Sequence, residues 1–97
     1  MKHFYRTQMA PADVLKVADE FFPALPLERT AHTARSRTYS GLLGTLQLSA
    51  KTEGGHYTFV EVSTDQMGES RLDRNAKGFF VELHRKSDPS YRLEAAY

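Results

Sequence analysis

The 97 residues can form one domain but are too few for two separate cores, so we expect a single domain over residues 1–97. With 13 basic and 12 acidic side chains the net charge is +1, which argues against nucleic acid or an anionic membrane as a partner unless the charges are clustered. The absence of cysteine excludes disulfides, thiolate catalysis and cysteine-ligated zinc, and the absence of a long apolar run predicts a cytoplasmic protein with no membrane partner.

The first two predicted elements are a short strand and a short helix. Residues 2–8 form the strand, with Phe4 on one face. Pro11 suits the first turn of the helix, because an amide hydrogen at that position has no partner within the helix. The helix carries an apolar stripe made of Val14, Leu15, Ala18, Phe21 and Phe22. Pro23 and Pro26 end it.

Three strand-like segments come next. Residues 27–39 are polar, but they are rich in threonine and lack proline and glycine, so we expect one extended strand. Residues 42–52 alternate in polarity, with Leu46 and Leu48 on one face. Residues 56–64 are rich in tyrosine, threonine, phenylalanine and valine, which also favours a strand.

The register of the last two strands follows from side-chain pairing, because residues opposite each other in an antiparallel pair share a face. A three-residue loop at residues 53–55 sets Leu48 against Val60 and keeps that face apolar. A slip of one residue would exchange the two faces of the strand.

A three-residue loop at residues 40–42 is predicted for the preceding hairpin by the same test, with Ala34 beside Leu48 on the inner face. The outer face then carries Arg35, Arg37, Tyr39, Tyr57 and Phe59. Cations beside stackable rings are typical of single-stranded nucleic-acid platforms and of protein interfaces. Because the net charge is only +1, we favour a homodimer or ligand contact over nucleic acid. The predicted interface residues are Arg35, Arg37 and Tyr39.

A longer amphipathic helix is predicted between Gly68 and Pro89. Its apolar stripe is made of Leu72, Ala76, Phe79, Phe80 and Leu83. Phe80→Ala is expected to be the most destabilising single truncation. The conformation of residues 90–97, after this helix, is left open between a strand, a helical turn and disorder.

Polar side chains agree with this helix. Asp65 or Ser70 can cap its first turn, where a side-chain oxygen accepts a hydrogen bond from an unpaired amide. Asp73 and Lys77 are an acid followed by a base four residues later, a spacing at which the two side chains can pair along a helix.

Together these elements predict an α+β fold in the order β-α-β-β-β-α. We expect an antiparallel sheet of about four strands with the long C-terminal helix packed across one face. The short helix after the first strand is expected at one end of the sheet.

No motif for catalysis or metal binding stands out, so we predict no catalytic residue, no metal and no cofactor, and an enzyme is the class least supported. The four histidines lie far apart in the sequence and in no ligand spacing. A carboxylate such as Glu61, beside Tyr57 and Phe59, can act as a base, but pairing with a cross-strand partner, here Gln47 or a nearby arginine, is the commoner arrangement.

The order of the elements resembles the START-like helix-grip superfamily, also called SRPBCC. The likeness is carried by the strand at residues 57–62 and the helix at residues 72–83. In that family a curved antiparallel sheet wraps the last helix, and a cavity between them holds hydrophobic ligands. The resemblance implies a binding module for a small apolar or aromatic molecule between helix and sheet, with two chains completing the cavity. The wall residues would be Phe22, Tyr57, Phe59 and Phe79.

A second resemblance is to the double-stranded-RNA-binding domain. Residues 55–62 and 68–71 look like the third strand of that family and the start of its second helix. Arg71, Arg74 and Lys77 are the only substitutes for the family's phosphate-binding lysines. Two alternatives to ligand binding are therefore kept: a protein-protein interaction or structural homo-oligomer that uses the sheet face, and a weak double-stranded-RNA-binding module.

Overall fold

The computed structural model describes residues 1–87 and has an α+β architecture. Its elements in chain order are β1 Lys2–Thr7, α1 Pro11–Phe21, β2 Leu27–His32, β3 Ser36–Gly41, β4 Gly44–Glu53, β5 Tyr57–Thr64 and α2 Arg71–Ser87. The strands form one antiparallel sheet in the order β1-β5-β4-β3-β2, so the first and last strands are neighbours. The predicted α+β class is confirmed, and the prediction for residues 90–97 lies outside the described residues. Neither helix within residues 1–87 has the length and apolar character needed to cross a membrane.

The predicted single strand over residues 27–39 is two strands, β2 and β3, so the described sheet has five strands instead of about four. In the turn between them the amide of Thr33 donates to the carbonyl oxygen of Ser36 at 3.0 Å. The hydroxyl oxygens of the same two residues are 2.7 Å apart. Short hydroxyl side chains can close a turn in this way. This turn contains neither glycine nor proline, the residues that usually mark a turn, so it was not predicted from the sequence.

The β4–β5 hairpin keeps the predicted faces but not the predicted partners. Its loop is three residues long, as expected, but it covers residues 54–56 and lies one position later in the chain. Leu48 is therefore opposite Val62 and not Val60. Because the shift is two residues, every side chain stays on its predicted face.

The β3–β4 register differs from the prediction by an odd number of residues, and the faces of β3 are exchanged. The turn has two residues, 42 and 43, and Gly41 is opposite Gly44. Gly44 has φ of +123°, a conformation that favours glycine, and this fixes where the turn ends. Tyr39 then lies opposite Leu46, and its side chain points to the inner face.

Both helices pack on the inner face of the sheet. α2 lies across β1 and β5, and α1 lies beside it across β4, on the face of the sheet and not at one end as predicted. The helix stripe predicted for α2 is confirmed as its buried side, although Phe80 is only half-buried. Phe79 is fully buried, and its ring lies 5.0 Å from that of Phe22. Phe79, rather than Phe80, is therefore the ring of α2 that lies in the centre of the core.

The opposite face of the sheet carries no helix within the described residues. Alternation along the strands points Phe4 and Phe59 to this side, while Val60 and Val62 point to the core. We call this surface, formed by the outward side chains of β1, β5, β4 and β3, the open face.

Candidate functional site

The densest group of exposed rings on the open face lies where β1 and β5 pair. Arg6 is opposite Phe59, and Phe4 is opposite Glu61, so all four side chains share one face. The next strand, β4, sets Lys51 opposite Phe59 from the other side. Strand pairing thus surrounds one phenylalanine with a ring and two cations.

The rings and cations of this group are in contact. The Phe4 and Phe59 rings are stacked with centroids 5.5 Å apart. Arg6 Cζ lies 5.0 Å from the Phe59 centroid and Lys51 Nζ lies 5.7 Å from it, both within range of a cation–π interaction. Phe4 is 54% exposed and Tyr57, at the start of the same strand as Phe59, is 48% exposed. We call Phe4, Tyr57 and Phe59 the aromatic patch.

Charges of both signs surround the aromatic patch. The outward charged residues of β1, β5 and β4 are Lys2, Arg6, Lys51, Glu53 and Glu61. Arg6 Nε lies 2.8 Å from Oε1 of Glu53, and both side chains are about half exposed. The carboxylate of Glu61 has no ion pair or hydrogen bond within residues 1–87, and neither has the ammonium group of Lys51. The surroundings of the patch are therefore close to neutral, but one acid, Glu61, and two bases, Lys2 and Lys51, have no ionic partner within residues 1–87.

Beside the aromatic patch the open face becomes polar. A shallow depression of about 270 Å³ lies over β3, β4 and β5, and Gln47, Ser49 and Glu61 are among the residues that line it. Arg37 also borders this depression, but its guanidinium bonds to Asp19 on the inner face. The depression thus offers neutral hydrogen-bonding groups and one carboxylate.

The structure does not bring the four predicted ligand-wall residues together. Phe22 and Phe79 are fully buried between the helices and the sheet, where their rings are in contact. Tyr57 and Phe59 lie on the open face, so the sheet separates the two pairs. One ligand cannot contact all four side chains, and ligand binding as such stays a prediction.

The predicted outer-face position of the interface residues is wrong for Arg37 and Tyr39. Both point to the inner face, where the Tyr39 phenol donates to Asp19 Oδ1 at 2.6 Å and Arg37 Nε contacts both oxygens of the same carboxylate at 3.1 Å. Arg35 is exposed, but it lies in the turn between β2 and β3 and not on a strand. The exchange of faces follows from the two-residue turn at residues 42–43.

Glu61 also differs from its predicted environment. A cross-strand partner for this carboxylate was expected in Gln47 or an arginine, but Ser49 and Phe4 are the residues opposite it.

Three residues that form the site, Phe4, Arg6 and Lys51, were missed. The alternation of β1 places Phe4 and Arg6 on one face, but nothing local indicates that β1 pairs with β5.

The predicted pairing of Asp73 with Lys77 is wrong, because Asp73 has other partners. It is fully buried, and its Oδ1 lies 2.8 Å from Nε2 of His3 and accepts a hydrogen bond from Thr64 Oγ1 at 2.8 Å. Ser70 Oγ donates to Oδ2 at 2.7 Å, and the amide of Asp73 donates back to Ser70 Oγ at 3.1 Å, so Ser70 is the helix cap. Burial raises the pKa of Asp73, but the hydrogen bonds from His3, Ser70 and Thr64 outweigh it and the pKa lies well below its ordinary value.

This buried cluster joins β1, β5 and α2, and its polar side chains are hydrogen-bonded to one another. Lys77 instead pairs with Glu69, at 2.7 Å between Nζ and Oε1. Of the three cations proposed to contact RNA, Lys77 is therefore neutralised locally, and the RNA module stays a prediction.

The open face has the chemistry of a protein contact: large rings that are half exposed, charges of both signs and no concentration of positive charge. A phosphate backbone would need several unpaired cations side by side. No protein-family model matches the chain, and no curated protein matches it.

Proposed function

We propose that this protein is an interaction module that associates with a second copy of itself through the open face. The observation that carries the proposal is the aromatic patch, where Phe4 is 54% exposed and Tyr57 is 48% exposed on a sheet face that no helix of residues 1–87 covers. Phenylalanine and tyrosine are enriched at protein interfaces, where they supply large contact areas at low entropic cost.

The size of the open face supports this proposal. The strands are six to ten residues long. At about 3.3 Å per residue and about 4.8 Å between strands, the four strands that form the open face give a flat area of roughly 500 Å². A stable complex buries about 800 Å² of accessible surface on each partner, which is the same order of size.

The charges of the open face favour a second copy over a nucleic acid. Three cations and two carboxylates are interspersed around the aromatic patch. A surface with both signs can pair with itself, because cations of one copy can face carboxylates of the other. The net charge of +1 adds little repulsion between two copies. Association also adds buried area to a small domain.

Analytical ultracentrifugation over micromolar to millimolar concentrations tests the proposal. Wild type should approach a dimer, and Phe4→Ser should weaken the association by at least roughly tenfold, because a central ring would be lost from the interface. Val81→Ser is the matched control, since Val81 is 59% exposed on α2, on the other side of the molecule. Circular dichroism would verify that each variant is folded. A wild type that stays monomeric throughout would overturn the proposal, and so would equal effects of the two variants.

Binding of a small hydrophobic molecule is the second candidate, in line with the resemblance to the START-like superfamily. An apolar groove of about 270 Å³ between α1 and α2 favours it, with Val17, Phe21 and Leu25 among its lining residues. Native mass spectrometry of the purified protein would detect a retained ligand. Phe21→Ala should abolish that retention if the groove is the site, and retention unaffected by the change would exclude this groove.

A further inference from the structure

Lys51 and Glu61 lie diagonally across the two strands at the centre of the aromatic patch. Lys51 is opposite Phe59 on the neighbouring strand, and Glu61 is opposite Ser49. The two charged residues are therefore two positions apart along adjacent strands, and diagonal neighbours of this kind are about 7–8 Å apart. Within residues 1–87 of one copy these two side chains form no ion pair.

Both groups lack an ionic partner in the part of the chain that is described. Arg6, by contrast, is held by Glu53 at 2.8 Å. The Lys51 ammonium lies over the Phe59 ring at 5.7 Å, which leaves its other side open. Glu61 is half-buried at the border of the polar depression. A half-buried carboxylate gains from a cation that arrives with the second copy.

The self-association proposed above is the basis of this step, and we propose that Lys51 of each copy pairs with Glu61 of the other around a two-fold axis. In a two-fold interface, if residue i of one copy contacts residue j of the other, then j also contacts i. An axis that lies between the facing sheets and passes midway between Lys51 and Glu61 produces two such ion pairs. The same axis passes beside Phe59, so the aromatic patches of the two copies meet at the centre of the interface.

Charge reversal tests this arrangement, with dissociation constants measured by analytical ultracentrifugation. Lys51→Glu alone and Glu61→Lys alone should each weaken self-association by at least roughly tenfold, because each creates two like-charge contacts. The double variant should associate like wild type, since both pairs are restored with reversed polarity. Lys16→Glu is the matched control: Lys16 is exposed on α1, away from the open face, and its reversal should leave the association unchanged.

A mixture of the two single variants gives the sharpest outcome. In a mixed dimer both contacts have opposite charges, so the two variants should prefer each other to themselves. Isotopic labelling of one variant lets native mass spectrometry count mixed and self-paired dimers. Failure of the mixture to form dimers would overturn the pairing of Lys51 with Glu61. If Phe4→Ser dissociates the dimer while charge reversal has no effect, self-association stands and this pairing is wrong. If wild type never associates, both are wrong.

Discussion

The Tyr39 phenol donates a 2.6 Å hydrogen bond to Oδ1 of Asp19, and this bond joins β3 to α1. Arg29 Nη1 contacts Oδ2 of the same carboxylate at 3.2 Å, and Arg37 contacts both oxygens. Burial and the hydrogen bond to Asp19 raise the pKa of the Tyr39 phenol far above its ordinary value. The cluster gives the phenol of a fully buried tyrosine a charged acceptor, which makes the inner position of β3 favourable.

Tyr39→Phe should lower the free energy of unfolding by about 1–2 kcal/mol, measured by urea denaturation. The ring would keep its contact with Phe22, at 5.0 Å between centroids, so the loss would report the hydrogen bond. The loss stays modest because Asp19 is partly exposed and keeps its arginines. Tyr57→Phe is the control, since that phenol has no hydrogen bond within residues 1–87. Equal stabilities of Tyr39→Phe and wild type would mean that the bond to Asp19 contributes nothing.

Phe79→Ala should be more destabilising than Phe80→Ala. Phe79 is fully buried against Phe21 and Phe22, so its truncation should cost about 3–5 kcal/mol. Phe80 is half-buried and stacks on Tyr5 at 5.2 Å, so its truncation should cost less. Thermal and urea unfolding of both variants would measure the difference, and a reversed order would contradict the assignment of Phe79 as the central ring.

Asp73→Asn should destabilise the protein at neutral pH, by about 1–3 kcal/mol, because four hydrogen bonds to a carboxylate would be weakened or lost. The pKa of Asp73 is lowered in the folded state, so its contribution is fully present above the unfolded value of about 3.9. That contribution is lost as the pH falls below it. The difference in unfolding free energy between wild type and Asp73→Asn should therefore shrink on acidification.

The measurement is urea denaturation of both proteins between neutral pH and about pH 3, where aspartate of ordinary pKa titrates. Asp13→Asn is the control, because Asp13 is exposed in the first turn of α1 and loses the same charge. A difference between Asp73→Asn and wild type that does not change with pH would contradict a lowered pKa.

Two glycines should respond to alanine in opposite directions. At Gly78, inside α2, an added Cβ would lie 3.7 Å from Phe21 Cζ, an ordinary contact, so Gly78→Ala should stabilise by about 0.5–1 kcal/mol. At Gly44, with φ of +123°, it would lie 2.5 Å from Asp65 Oδ1, so Gly44→Ala should destabilise by at least about 1 kcal/mol. Thermal unfolding of the two variants tests both signs, and a stable Gly44→Ala would show that the turn can rearrange.

The amphipathic helix and the inner faces of β4 and β5 were predictable, because their periodicities are long and clean. The register of β4 and β5 was wrong by two residues, an error that polarity patterns cannot detect because faces repeat every second residue. The register predicted for β3 against β4 was wrong by three residues, and an odd shift exchanges the two faces of the strand. Its inner residues include Arg37 and Tyr39, which are polar enough to suggest solvent until Asp19 is placed beside them.

The candidate site could be predicted only in part. Tyr57 and Phe59 were assigned to the outer face correctly, since their strand alternates. Phe4 and Arg6 join them because β1 pairs with β5, more than fifty residues away along the chain. Contacts at such separation leave no mark in local periodicity, and the same holds for His3 and Asp73, which are 70 residues apart.

The two edge strands of the described sheet, β1 and β2, are poorly suited to pairing with a strand of another molecule. β2 has a bulge between Arg29 and Ala31, which interrupts the row of backbone groups that an added strand would need. β1 carries Lys2 and Arg6, so pairing of two β1 edges would place positive charges close together. A dimer formed through the open face, in contrast, buries that face on both copies. Pairing should therefore stop at two and not continue into fibrils.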